Sequence, residues 1–170
     1  MAEAFKIEVD DRAVVRALNE LLRRGEDLSP AMASIAAELL SLTELAFQEE
    51  GPGWPPLAPA TILRRTQRGH WPGKMLQVSG ALAASIQVDS GKDYAEIGSA
   101  KEYAAIHQFG GTAGRGHRTT IPPRPYLPIT GASGELTPQA TESILEILNR
   151  YLGGSWEDHQ VIRGDSPRPH

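Results

Sequence analysis

Apolar side chains recur along this chain with two different periods. In "FKIEV" the residues Phe5, Ile7 and Val9 alternate with Lys6 and Glu8, the two-residue repeat of a strand buried on one face. Asp10 or Asp11 then offers a cap to a helix whose Val14, Val15, Leu18, Leu21 and Leu22 share one face and which stops at Gly25. A longer helix is predicted over 29–49: Ser29 supplies an N-cap oxygen, Pro30 a preset φ, and Met32, Ile35, Leu39, Leu42 and Ala46 recur every three to four positions.

The period then breaks. "GPGWPPLAP" holds Pro52, Pro55, Pro56 and Pro59, which cannot donate backbone hydrogen bonds, so residues 50–75 read as an extended arm interrupted by a short helix over 58–68. Ser79 can cap a short helical turn before a strand at 85–90, and "YAEIG" at 94–98 reads as its antiparallel partner across Gly91–Asp93. Tyr103–Phe109 is predicted as a short helix halted by Gly110 and Gly111, residues 110–125 as a loop, and "PYLPI" as the start of the last extended segment. Thr137 and Pro138 open a final helix with Ile144, Leu145, Leu148 and Leu152 on one stripe, closed by Gly153 and Gly154. The polar, aperiodic residues 155–170 read as a tail. The expected fold class is α+β: a small antiparallel sheet packed against a long N-terminal helix and a C-terminal helix, with Pro/Gly-rich arms, in one domain over 1–154.

Composition narrows the setting. With 170 residues, 40% apolar residues and 22% charged ones, the chain can build one real core. It has no cysteine, which excludes disulfides and thiolate metal sites. The N-terminus lacks a signal layout and no run approaches the roughly 18 apolar residues of a membrane span, so a chain made and kept in a cytoplasm, with no membrane partner, is expected.

Charge changes the picture more than composition does. Residues 1–50 carry eleven acids and five bases, whereas Glu50 and Asp89 bracket a stretch with no acid and with Arg64, Arg65, Arg68 and Lys74. Glu102 and Glu135 bracket a second such stretch, with Arg115, Arg118 and Arg124. Local field rather than net charge steers an anionic partner, so these segments suit nucleic acid, or equally the acidic helices of the same or a neighbouring subunit.

Tests for chemistry fail in turn. The histidines at 70, 107, 117, 159 and 170 never stand three or four apart, so no helical metal pair exists. A general base at His107 would need a nucleophile and an orienting group, and its neighbours are Gln108 and Phe109; a histidine bonded to backbone or packed at an interface fits better. "VSGAL" lacks the glycine two residues before Ser79 that a nucleophile elbow requires. In "GTAGRGHR", His117 and Arg118 stand where a phosphate loop needs Lys and Ser or Thr. Arg163-Gly164-Asp165 matches an adhesion tripeptide, but nothing else in the sequence suits an extracellular ligand.

The order of the pieces is informative: a Trp-Pro arm, an Arg-rich helix, "LQVSGALAASI", "EIGSAKEYAAIHQFGG", a glycine/arginine loop and "IPPRPYLPI". From Phe5 to Leu152 this succession resembles the phage virion-morphogenesis family, the tail-completion proteins of Mu-like and P2-like tailed phages. The resemblance implies a non-enzymatic virion part without cofactor, made in the bacterial host cytoplasm and acting in tail completion and head–tail joining. It implies a ring at the phage neck or tail top, as tail terminator or neck collar. The partners implied are copies of itself, most simply a hexamer, the adjoining neck, connector or tail-tube proteins, and packaged DNA. In this reading Tyr103, Ile106 and Phe109 anchor the short helix in the core, Gly110 and Gly111 turn the chain, and Arg124 between its prolines fixes the loop's return. Trp54, His107, Gln108 and Tyr126 complete the joint, and Arg64, Arg65, Arg68, Arg115 and Arg118 face DNA or a partner. A DNA-binding assembly factor using those arginines is the alternative, with salt-sensitive binding as its mark.

Overall fold

A computed structural model of the chain describes residues 11–25, 27–51, 53–130 and 134–153. The strand expected at "FKIEV", Gly154 and the tail with Arg163-Gly164-Asp165 lie outside the described residues.

Helix α1 spans Arg12–Arg23, and Asp11 caps it: its Oδ1 accepts from the backbone N–H of Ala13 at 3.0 Å and of Val14 at 3.2 Å. The other carboxylate oxygen accepts from Thr141 Oγ1 at 2.9 Å, which ties the start of α1 to the last helix. Only part of the expected stripe faces inward. Leu21 is buried and Val14, Ala17 and Leu18 pack beside it, whereas Val15 and Leu22 lie exposed one helical step, about 100°, off that face.

Helix α2 spans Ser29–Gln48. The expected cap moves by two residues: Ser29 is already helical, and the Asp27 carboxylate takes both its N–H at 3.0 Å and its hydroxyl at 2.8 Å. Those bonds hold the Asp27 carboxyl below its ordinary range, the backbone bond most strongly. By length and composition α2 would also suit a membrane crossing, contrary to the sequence expectation. Here Leu28, just before the helix, and Ala31, Met32, Ile35 and Leu39 on it pack with Leu21 of α1 and with Ile144, Ile147 and Leu148 of helix α5, Pro138–Tyr151. Thr137 caps α5 as expected, but Ile147 takes the inward place that the stripe gave to Leu145.

Among the described residues three separate two-stranded antiparallel ladders complete the α+β architecture. Strands β1, Ile86–Ser90, and β2, Ala95–Ser99, pair with Val88 opposite Ile97 and lie on α2. Ile97 touches both that core and a second hydrophobic cluster, built from Phe47, Trp54, Leu82, Ala104, Tyr126, Leu127 and Ile129, so this hairpin joins them. Strands β3, Gly111–Ala113, and β4, Thr119–Ile121, form a hairpin where a loop was expected. Threonines at 112, 119 and 120 favour extended backbone, and Gly114 at φ 79° and Gly116 at φ 72° supply the reversal. Strands β5, Ile129–Thr130, and β6, Glu135–Leu136, lead into α5.

Helix α3, Pro59–Gln67, sits inside the arm and buries none of its residues. Both ends of the arm are pinned to the end of α2. On the outward leg Trp54 is buried edge-on to Phe47, with ring centroids 6.2 Å apart. A Cβ at Gly51, φ 70°, would fall inside the Trp54 indole, so the chain needs glycine there to bring the ring in. On the return, Lys74 Nζ and Gln77 Nε2 donate to the carbonyls of Gln48 and Phe47 at 2.9 and 2.6 Å, satisfying C-terminal carbonyls that the helix leaves open.

Candidate functional site

Helix α4, Ala104–Phe109, places the motif-bearing stretch, and its inward side chains are Ala104 and Gln108. Tyr103, expected in the core, is 42% exposed, and Ile106 and Phe109 are half-buried, with Phe109 resting on the second cluster. The reason is the job of Gln108. The segment Pro122–Pro128 runs past α4 without a strand partner, and its buried N–H groups need acceptors. Gln108 Oε1 accepts from Tyr126 N and Leu127 N, each at 2.9 Å, in place of a neighbouring strand. Two N–H donors aimed at one oxygen also fix which way the amide points.

The rest of the segment is held from both sides. Tyr126 stacks on Phe47 at 5.2 Å and donates its hydroxyl to the Ala104 carbonyl at 3.0 Å; burial pushes that phenol well above its ordinary range, so it stays a neutral donor. The Arg124 backbone N–H bonds the His107 carbonyl at 2.8 Å. Its guanidinium, buried at 6% exposure, reaches the other way: Nε and Nη2 donate to the Pro55 carbonyl at 3.1 and 2.9 Å, and Nη2 to the Pro56 carbonyl at 3.1 Å. Trp54 Nε1 donates to the Pro125 carbonyl at 2.8 Å. Proline carbonyls suit this clasp, because each keeps its acceptor while having no N–H to satisfy. Gly110, φ 73°, makes the turn out of α4, and a Cβ there would stand 2.9 Å from Pro123 Cδ.

His107 is half-buried beside this clasp. Its ring meets Tyr103 edge-on at 5.9 Å, and its Nδ1 is buried without a hydrogen-bond partner, as is Gln108 Nε2. The ring-nitrogen bond to backbone expected from the sequence is therefore not made at Nδ1. Burial lowers the His107 pKa, with the Arg124 charge adding to it, so the ring favours the neutral state. Among the described residues no group of three or more His, Asp and Glu could hold a metal ion.

The arginines divide into two sets. Arg64 and Arg68 are exposed on and just after α3, while Arg65 is half-buried, donates to the Lys74 carbonyl at 3.1 Å and lies near enough to Arg124 to lower its pKa, after burial. Arg115 and Arg118 stand at the tip of the β3–β4 hairpin, where every residue from Gly111 to Thr120 except Ala113 is exposed.

A basic hairpin and a basic arm thus extend from a clasped joint. The model of the phage virion morphogenesis family matches residues 9–153. This chain belongs to that family. A protein G of Escherichia phage Mu, whose name refers to capsid assembly, is 41% identical over 135 residues, covering 75% of this chain and 85% of the relative. Mu-like prophage FluMu G protein 2 of Haemophilus influenzae is 34% identical over 150 residues, 87% of this chain and 96% of the relative. Its FluMu G protein 1 is 34% identical over 131 residues, 75% of this chain and 80% of the relative. No solved structure matches the chain. The family description and the name of the phage Mu relative support a role in phage assembly.

Sequence reasoning singled out Gln108, Arg124, Trp54 and Tyr126 but missed Ala104 and Phe47. Ala104 and Gln108 stand four apart, the spacing of one helix face, and that was the available signal.

Proposed function

We propose that this protein acts in tail completion and head–tail joining, as a closed ring of copies at the phage neck or tail top. One observation carries the reading: a rigid joint holds a hairpin that is exposed along nearly its whole length and tipped by Arg115 and Arg118, with no acid between Glu102 and Glu135. A two-stranded ribbon standing alone is marginal in water, so its place is against an adjoining ring or the DNA channel. Ring closure needs one patch of each copy to meet a different patch of the next.

The name of the phage Mu relative favours a second reading, in which the protein works on the capsid side. Phage lacking the chain separate the two. Tail completion leaves filled heads beside unjoined tails, and complementation restores joining. Failure of heads to form would favour the capsid reading, and joined particles without the protein would remove the proposal.

A further inference from the structure

The geometry points to a docking contact: helix α3, with the arm around it, lies in the groove between α2 and α5 of a second copy of this chain. The inference rests on the ring reading and supplies its interface.

Helix α3 is nine residues long with none of them buried. Leu63 is 60% exposed, and Trp71 and Val78 on the returning leg are exposed as well. A helix this short is not stable in water by itself and gains its stability from packing. The arm is pinned at both ends near the C-terminal end of α2, and between the pins α3 buries none of its residues against its own body.

The groove offers what the arm lacks. It measures about 400 Å³ and is lined by Ser34, Ala37 and Glu38 of α2 and by Ile147, Arg150 and Tyr151 of α5. About two turns farther along α2 from Glu38, Leu45 is exposed. Helix α2 carries Glu38 and Glu44 and no base, and α5 carries Glu142 and Glu146 against Arg150. The arm has Arg64, Arg65, Arg68 and Lys74 and no acid. Charge and apolar surface therefore match between two different patches, the heterologous arrangement that closes rings. The three exposed apolar residues suit a protein groove better than a phosphate backbone, which separates this partner from DNA. In its own copy the arm is tied at Gln48, about 15 Å along α2 from Glu38, and α3 buries none of its residues there.

Because the chain has no cysteine, the contact can be read by cross-linking the full-length protein. Leu63→Cys chains are mixed with Ala37→Cys chains and oxidised, with Leu63→Cys plus Val88→Cys as the control pair, and melting is recorded for each variant. The expected yield of mixed disulfide exceeds the control at least about tenfold, and reversal by Arg64→Glu/Arg68→Glu or by Glu38→Lys/Glu146→Lys removes the excess, by about tenfold or more, while the two reversals together restore it. Cross-linking at the control level, or indifference to both reversals, overturns the docking. If the wild-type protein still forms multimers by light scattering, the ring reading survives that result. A chain that is monomeric at every concentration and within assembled particles removes both. Loss of salt-sensitive DNA binding in Arg64→Glu/Arg68→Glu, with multimers and cross-links unchanged, assigns the arm to DNA and overturns the docking as well.

Discussion

The joint around Tyr126 and the hairpin of β3 and β4 are adjacent in sequence and opposite in physics. In the joint, Gln108, Arg124, Trp54 and Tyr126 are buried, and each donates or accepts at least one hydrogen bond across a large sequence separation. In the hairpin, nearly every side chain from Gly111 to Thr120 faces solvent. The same glycine- and arginine-bearing stretch thus holds one arginine that fastens the fold and two that are free to meet a partner. Residue type alone does not separate them. Arg124 is set apart by the prolines on either side and by the bare carbonyls of Pro55 and Pro56 opposite it.

The contrast breaks first at Trp54. Trp54→Ala empties the second core and frees the arm's outward leg, at about 3–5 kcal/mol; the midpoint of thermal unfolding should fall by roughly 6–20 °C. Gln108→Leu comes next. It keeps apolar volume but leaves the N–H groups of Tyr126 and Leu127 without an acceptor, at about 1–3 kcal/mol each, read from urea unfolding. A melting midpoint unchanged in Trp54→Ala, or urea unfolding unchanged in Gln108→Leu, would mean that the joint is not what holds this region.

His107 sharpens the comparison through pH. Its folded pKa lies below its ordinary value of 6.5, because burial disfavours the charged ring. Where the folded chain releases a proton that the unfolded chain keeps, stability rises with pH. The contribution is therefore full above the ordinary value and is lost as pH falls through 6.5 toward the folded pKa. His107→Gln should remove that step from the stability profile between neutral and mildly acid pH while supporting assembly near neutrality. A step that persists in the variant would assign it to another group.

Much of this fold was legible in the sequence, because its long elements carry strong periods. Helix α2, helix α5 and the β1–β2 hairpin lie within a residue or two of where their apolar spacing and caps put them. What was illegible depends on partners distant in sequence. The inward turn of Gln108 answers N–H groups eighteen and nineteen residues away, and no local pattern announces that. The partial burial of the α1 stripe has a similar cause, since α1 meets the core along Val14, Ala17, Leu18 and Leu21. The β3–β4 ladder was hidden because glycines read as loop when the threonines flanking them are not weighed. Of the candidate residues, the clasp was identifiable by its proline-flanked arginine; the outward role of Tyr103 was not, since an aromatic residue before a helix usually reads as core.

The smallest effect on the fold should accompany the largest effect on assembly. Arg115→Glu with Arg118→Glu changes only exposed positions, at under about 0.5 kcal/mol, so the melting midpoint should move by less than about 2 °C. The decisive measurement is the yield of joined particles when phage lacking this chain are complemented with that double variant at matched protein level. The account predicts that joining collapses while the protein melts like wild type. Joined, infectious particles at wild-type yield would contradict it.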